Sequence, residues 1–321
     1  MSFRWQLVRR TVFAIVAIYL VLTVTFGFVT LTGDPNQGAI AWEAATTQGE
    51  DAAQAALAEY REARNLDDPL AERYVRWLVD MTTLDWGTSF SQNAPVTALI
   101  AKALPQTLAY VVPAMGFALV GGIGIGLYSA TQQGTILARI GAGVAYIGLG
   151  VPNFWLAGIL LFVFTVPLGQ YGEATIAYWP VLKTVVLPSL VLGTSLLAGQ
   201  ARYARAESSE YVNAEFVKLL RAKGASGWAV ARHLLRNAAI PLLSLFFADL
   251  LIILALNIYV IEVVFGIPGL GQLSYGAIQN RDLPLILGTT LVLVFFGIGG
   301  NLFQDIAYRM IDPRIEATSS E

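Results

Sequence analysis

Long stretches without charge constrain this chain more than any other feature. A helix that crosses a bilayer needs about 20 mostly apolar residues. Six runs meet that need: Thr11–Gly33, Ala103–Ala138, Ile140–Gly172, Thr184–Ala201, Asn237–Ile261 (interrupted only by Asp249) and Leu283–Gln304. The 321 residues are 56% hydrophobic and 13% charged, whereas a soluble domain carries about 25% charged residues. The expected class is all-α: a polytopic membrane protein with six transmembrane helices, one for each run, and a small external helical subdomain. The first run follows Arg4, Arg9 and Arg10. It is too long for the apolar core of a signal peptide and no small-residue cleavage site follows it, so it is expected to stay as a helix.

Orientation follows from Lys and Arg in the short loops. With the N-terminus inside, thirteen of the 20 Lys and Arg residues fall on the inner side and seven on the outer side. Four of those seven, Arg61, Arg64, Arg73 and Arg76, sit in one long outer segment, where the rule applies weakly. Both termini are therefore expected to be cytoplasmic. The division is residues 1–33 for the N-terminal tail and first helix, 34–101 for the external subdomain, 102–315 for a five-helix core with an inner loop at 206–236, and 316–321 for a C-terminal tail.

Several chemistries are excluded. There is no Cys, so no disulfide, thiol nucleophile or Cys-ligated metal. His233 is the only histidine, which argues against a multi-histidine metal site and an internal Ser/His triad. Its position between Arg232 and Leu234 in the inner loop suits docking or helix capping. The net charge of -2 gives no basic field for nucleic acid. No catalytic residue, metal site or cofactor of its own is expected. Gly122-Ile123-Gly124-Ile125-Gly126 is loosely similar to a nucleotide glycine motif, but it lies inside a charge-free run, where small residues serve helix packing.

The external segment is acidic, with eleven Asp and Glu against four Arg between Asp34 and Asp85. Glu50–Arg64 is rich in helix formers. A second helix is expected to start at Asp68-Pro69, an N-cap followed by proline at the first helical position. Its apolar residues Leu70, Tyr74, Trp77, Leu78 and Met81 recur at helical spacing. The segment either guides a docking partner or caps the outer helix ends.

The inner loop carries the most specific pattern. Residues 211–241 read YVNAEFVKLLRAKGASGWAVARHLLRNAAIP. Tyr211-Val212, Arg221-Ala222-Lys223-Gly224, Arg232-His233, Arg236-Asn237-Ala238 and Pro241 resemble the cytoplasmic loop of the permeases of oligopeptide, dipeptide and nickel ABC importers. Further landmarks follow in order over nearly the whole chain: Gly33-Asp34-Pro35, Trp86-Gly87-Thr88-Ser89-Phe90, Leu104-Pro105-Gln106-Thr107-Leu108 opening the second helix, Pro152-Asn153-Phe154-Trp155 in the third, Glu262-Val263-Val264-Phe265, Pro268-Gly269-Leu270-Gly271, Arg281-Asp282-Leu283-Pro284 and Asp312-Pro313-Arg314-Ile315. The long external segment is similar to the first of the two permeases such importers use. Gly227-Trp228 departs from the family, which has polar residues there, so the docking helix is expected either to be locally weak at Gly227 or to begin after it.

The resemblance implies a type I importer permease fold and a non-catalytic subunit that forms half of a path for peptides. It implies a homologous second permease, two ATPase subunits or domains that use ATP and Mg, an external solute-binding protein and the lipid bilayer as partners, in a plasma membrane. The chain has no GxxxxGK[ST] phosphate loop, which agrees with ATP hydrolysis in separate subunits. The implied ATPase-coupling residues are Arg221, Ala222, Lys223, Gly224, Ala225, Ser226, Trp228, Arg232, His233 and Arg236. Gly224 suits a sharp turn with positive φ, and Pro241 is expected in the first turn of the fifth span. Asn153, Asp249 and Glu262 are candidates for the translocation path. For Glu262 an interfacial structural role stands beside a vestibule role, and for Asn153 helix packing stands beside path lining. Rival readings are an ion-coupled transporter working alone, and an ABC permease for oligosaccharides or nickel. Four Lys beside sixteen Arg and an acidic outer segment suggest a salt-adapted, even archaeal, source.

Overall fold

Each of the six apolar runs is mostly helical where it is described, as lipid demands of a backbone that must satisfy its own polar groups; the second run is interrupted at 132–135 and the third at Val151-Pro152. The computed structural model describes residues 3–32, 35–63, 65–132, 134–169 and 179–311. The side chains of some helical residues, among them Arg4, Asn237 and Asp249, lie outside the described residues, as do Glu173 and the whole of 312–321. In chain order the helices are α1 (Phe3–Thr32), α2 (Pro35–Gln48), α3 (Glu50–Ala63), α4 (Leu70–Thr82), α5 (Val96–Thr131), α6 (Ile136–Gly150), α7 (Asn153–Gly169), α8 (Trp179–Val181), α9 (Leu187–Val212), α10 (Glu215–Ala222), α11 (Gly227–Phe265), α12 (Leu270–Gln279) and α13 (Leu283–Ile311), with a π-helical turn at Leu182–Val186 before α9. The described residues hold no strand, only an isolated bridge between Thr88 and Pro95.

The chain divides into two compact units, Met1–Lys102 with Leu273–Leu302, and Ala103–Gln272 with Phe303–Glu321. In the first, α4 lies along α1: Trp77 Nε1 donates to the Leu22 carbonyl at 3.1 Å, and the Tyr74 and Thr23 hydroxyls are 2.8 Å apart. Asp68 is not the cap of α4. Pro69 occupies that position without a side-chain bond, and the Asp68 carboxylate instead accepts from Arg76 at 2.6 Å. Helix α2 was not anticipated, because its Gly, Asn and paired Thr residues dilute the helical signal. The chain then turns at Gly87, at φ +76°, within the Trp86–Phe90 segment, which lies on the start of α13.

In the second unit α9 is the buried axis. Small residues let its neighbours approach closely. A Cβ on Gly126 would stand 2.5 Å from the Ala204 Cβ, one on Gly122 2.6 Å from the Gln200 Cβ, and one on Gly148 3.2 Å from the Ala198 Cβ. The glycine run of α5 is thus a packing seam, as its place in an apolar run implied. Tyr110, Leu187, Leu192, Phe246, Ile261 and Phe265 are among the residues of the main core.

Three boundaries differ from the sequence reading. Helix α5 begins at Val96, so Pro105 lies inside it and not at its opening. The third run is two helices, of 15 and 17 residues, broken at Val151-Pro152; proline cannot continue the backbone ladder and disfavours helix in the residue before it. Helix α11 runs unbroken from Gly227 through Pro241, which sits in its interior. Among the described residues four helices are long and apolar enough to cross a membrane, or five if Leu256–Phe265 and Leu270–Gln279, bent by 91°, form one broken span.

Candidate functional site

The inner loop is built as helix, turn, helix. Helix α10 is amphipathic: Val217 is buried, with Phe216 and Leu220, against Leu127, Ala130, Val212, Val230 and Leu234. Its C-terminus closes in a Schellman turn. The Ala225 amide donates to the Leu220 carbonyl and the Gly224 amide to the Arg221 carbonyl, both at 3.0 Å, while Gly224 takes φ +76°. Ala225 and Leu220 both pack against the same buried cluster. Ser226 then caps α11, its Oγ accepting from the Ala229 amide at 3.3 Å. Gly227 is therefore the first residue of a helix instead of a weak point within one.

This arrangement sorts the predicted residues cleanly. Arg221, Ala222, Lys223, Gly224, Ser226, Arg232, His233 and Arg236 are exposed, and Ala225 is half-buried. Trp228 is 80% exposed and Leu219 56%. The exposed residues thus combine basic side chains with two uncovered apolar ones, Leu219 and Trp228, on a scaffold pinned from beneath by α5, α9 and α11.

Glu262 lies in the last turn of α11 and is 0% exposed. Its Oε1 accepts from the Thr107 hydroxyl at 2.7 Å and the Tyr110 hydroxyl at 3.1 Å, and its Oε2 from the Gln272 amide at 2.9 Å. Thr107 also accepts from the Leu270 amide at 2.8 Å. The carboxylate therefore caps the start of α12, where free amides and the helix dipole favour a negative group. Gly266, at φ +68°, ends α11, and the Ile267 amide donates to the Glu262 carbonyl at 2.9 Å. The turn has no room to spare: a Cβ on Gly269 would fall 2.4 Å from Glu262 Oε1, and one on Gly271 2.6 Å from the Ile258 carbonyl. Glu262 thus ties α5 to the turn between α11 and α12.

Asn153 opens α7. Its Nδ2 donates to Asn257 Oδ1 at 2.7 Å and its Oδ1 accepts from the Ser195 hydroxyl at 2.6 Å, joining α7, α11 and α9. Phe154 and Trp155 are 59% and 56% exposed beside it. Asp249 falls within α11, and its side chain lies outside the described residues. Thr107, Tyr110, Ser195 and Asn257 escaped sequence reasoning. Asn257 alone left a signal, as an amide in the apolar run Leu250–Ile261. Among the described residues no group of three His, Asp or Glu could hold a metal.

Comparison with known proteins gives a consistent picture. A model of the family described as binding-protein-dependent transport system inner membrane component matches residues 122–317, which contain the loop and Glu262. The oligopeptide transport system permease protein AppB of Bacillus subtilis (strain 168) is 33% identical over 275 residues, covering 82% of this chain and 86% of the relative. A putative peptide permease protein of Brucella suis biovar 1 is 35% identical over 296 residues, 89% of this chain and 90% of its own. The dipeptide transport system permease protein DppB of Alkalihalophilus pseudofirmus is 30% identical over 335 residues, covering 96% and 98% of the two chains.

Proposed function

The chain belongs to the binding-protein-dependent transport system inner membrane component family, and from that premise we propose that it forms one half of a peptide path, paired with a homologous permease and driven by two ATPase subunits that use ATP and Mg. It is a multi-pass membrane protein, and within the family it is the permease component of an ABC importer. An external binding protein delivers the solute, and both termini face the cytoplasm. Peptides are favoured over oligosaccharides or nickel because the relatives named above are peptide, oligopeptide or dipeptide permeases. A family defined by its binding protein argues against an ion-coupled transporter acting alone.

One observation carries the coupling assignment: the Schellman turn at Gly224 holds Trp228, Arg221, Lys223 and Arg232 exposed on a base that is itself buried in the helix bundle. Force applied to those residues passes into α9 and α11 without an intervening flexible link. The exposed set fits an acidic groove with an apolar floor on an ATPase. Gly224→Pro demands φ near -65° where the turn has +76°, and Arg221→Glu reverses one of its charges. Both variants are expected in the membrane at normal abundance, with substrate-stimulated ATP hydrolysis and vesicle uptake reduced at least tenfold. Wild-type values for both activities in both variants would remove the coupling role.

The source is proposed to be salt-adapted on composition alone, from four Lys beside sixteen Arg and the acidic outer segment. The relatives quoted are bacterial and lend no support to an archaeal origin.

A further inference from the structure

Where α4 meets the C-terminal end of α1 and the start of α13 there is a cavity of about 480 Å³, within the range of roughly 300–1,000 Å³ in which small-molecule ligands are held. All its described lining residues belong to the unit formed by Met1–Lys102 and Leu273–Leu302. Its depth in the membrane is set by the chain itself. Phe26 to Thr30 close the span Leu7–Leu31, and Leu283 to Gly288 open the span Leu283–Ala307. Trp77 and Tyr74 rest on Leu22, Thr23 and Phe26, the Phe26 and Tyr74 rings being 5.3 Å apart. Aromatic side chains with one polar end settle at the membrane–water boundary. The cavity is therefore a boundary cavity, with hydrocarbon depth on one side and the polar segment on the other.

Its lining is split in the same sense. Phe26, Val29, Met81 and Leu287 make an apolar part, and Arg61, Arg73, Arg76, Asp80 and Asp85 a charged part. Two of the arginines have partners: Arg61 with Asp67 at 2.5 Å and Arg76 with Asp68 at 2.6 Å. Arg73 makes no ion pair among the described residues. Burial, then the neighbouring Asp85, push the Asp80 carboxyl up against the pull of Arg76. One cation and a pair of acids thus face the same space without neutralising each other.

Thr30 adds an independent sign. It lines the cavity, and its hydroxyl is buried with no hydrogen-bond partner. Thr23, in the same helix, donates to the Tyr19 carbonyl at 2.7 Å in the ordinary way. A buried hydroxyl left unpaired is costly unless something supplies its acceptor.

We propose that this cavity binds a single glycerophospholipid, its phosphodiester against Arg73, an ester or phosphate oxygen accepting from Thr30, and the upper part of an acyl chain along Phe26, Val29 and Leu287. Asp80 and Asp85 accept from an amine or hydroxyl of the headgroup. A soluble anion would leave the apolar part wet, and a plain hydrocarbon would leave Arg73 and Thr30 unanswered; a phospholipid answers both.

The test uses the intact transport complex in lipid nanodiscs containing phosphatidylethanolamine with a photoreactive group at the top of one acyl chain. Cross-links are expected to concentrate on peptides holding Phe26–Thr30 and Leu283–Leu287. Lipid retained through detergent exchange, counted by native mass spectrometry, is expected to fall about tenfold in Arg73→Glu, the loss of one charge-assisted hydrogen bond. Arg73→Gln, which leaves the Arg76–Asp68 pair intact, and the near-isosteric Thr30→Val are each expected to lower retention several-fold with an unchanged melting temperature. Millimolar inorganic phosphate is expected not to displace the lipid. Cross-links spread evenly over the exposed face of α1 at Phe13, Val16 and Leu20 would overturn the proposal, as would wild-type retention in both Arg73 variants. Displacement by phosphate would overturn it too, by making the site one for soluble anions.

Discussion

Replacing Glu262 with Gln changes one buried oxygen into an amide nitrogen and almost nothing else. The wild-type carboxylate receives three donors and has no exposed surface. If the Gln oxygen faces Thr107 and Tyr110, its NH2 confronts the Gln272 amide, donor against donor. If it faces Gln272, the Tyr110 and Thr107 protons lose their acceptor. Either orientation loses at least one hydrogen bond to a charged group, worth about 1.5–3 kcal/mol, and strands a buried donor at about 1–3 kcal/mol. Partial relaxation leaves a net loss of roughly 2–4 kcal/mol. For a chain of this size that corresponds to a fall in melting temperature on the order of 3–6 °C. The measurement is thermal unfolding of the purified complex in detergent, with vesicle uptake read alongside. Thr107→Val cuts the same network, so the double variant should cost clearly less than the sum of the singles. A Glu262→Gln protein that melts like wild type, or strict additivity with Thr107→Val, would refute this tie between α5 and the turn.

Three further outcomes are expected. A Gly126→Val variant puts a side chain where a Cβ already meets Ala204 at 2.5 Å and the Ala201 carbonyl at 2.6 Å; it should destabilise the chain by about 3 kcal/mol or more. Gly124→Val, with nothing within 4 Å, should be close to neutral in the same melting assay, and similar losses in both would deny the seam. Burial pushes the Asp282 carboxyl up, but bonds from Ser89, Ser91 and Leu285 outweigh it and hold the group below its ordinary value. A depressed carboxyl stabilises the fold above its unfolded value of about 3.9 and loses that contribution as pH falls through the lower folded value. Protection of the Ser91 amide from hydrogen exchange should thus be steady at neutral pH and collapse only below about pH 4, while Asp282→Asn should show weak protection at every pH; identical pH profiles would count against it. If the source is salt-adapted, the complex should melt higher in molar salt than in dilute buffer, and the reverse order would dismiss that reading.

The spans were legible because the bilayer imposes one rule on every residue it covers: no charge, for about twenty residues. The loop was legible because its residues act close together in the chain, so that Arg221, Gly224 and Ser226 build one turn from neighbours. What stayed hidden is bonding between distant residues. Thr107 reaches Glu262 across 155 positions, Ser89 reaches Asp282 across 193, and Asn153 reaches Asn257 across 104. No local pattern marks such a pair. Thr107 stood within a quoted motif and its role was still invisible. Helix limits were lost for another reason. Pro105 and Pro241 look like starts, yet both lie inside helices, where packed neighbours in a membrane bundle tolerate them.

Glu262 and Asp282 solve the same problem in the two units. Each carboxylate is buried, and each sits at the start of a helix, accepting amides of α12 and α13 respectively. Each also draws in hydroxyls from a distant segment: Thr107 and Tyr110 in one case, Ser89 and Ser91 in the other. A charged group near a membrane is expensive unless its bonds are filled, so a carboxylate with three or four donors is worth keeping only where it fixes geometry. That is what both do. The first holds the turn after α11, the helix that begins at the exposed inner loop, and the second holds the Trp86–Phe90 segment on the head of α13. An acid at membrane depth invites a role in handling the solute. Here three donors already occupy the carboxylate, so a passing cation or peptide amine would have to compete with Thr107, Tyr110 and Gln272 for its oxygens.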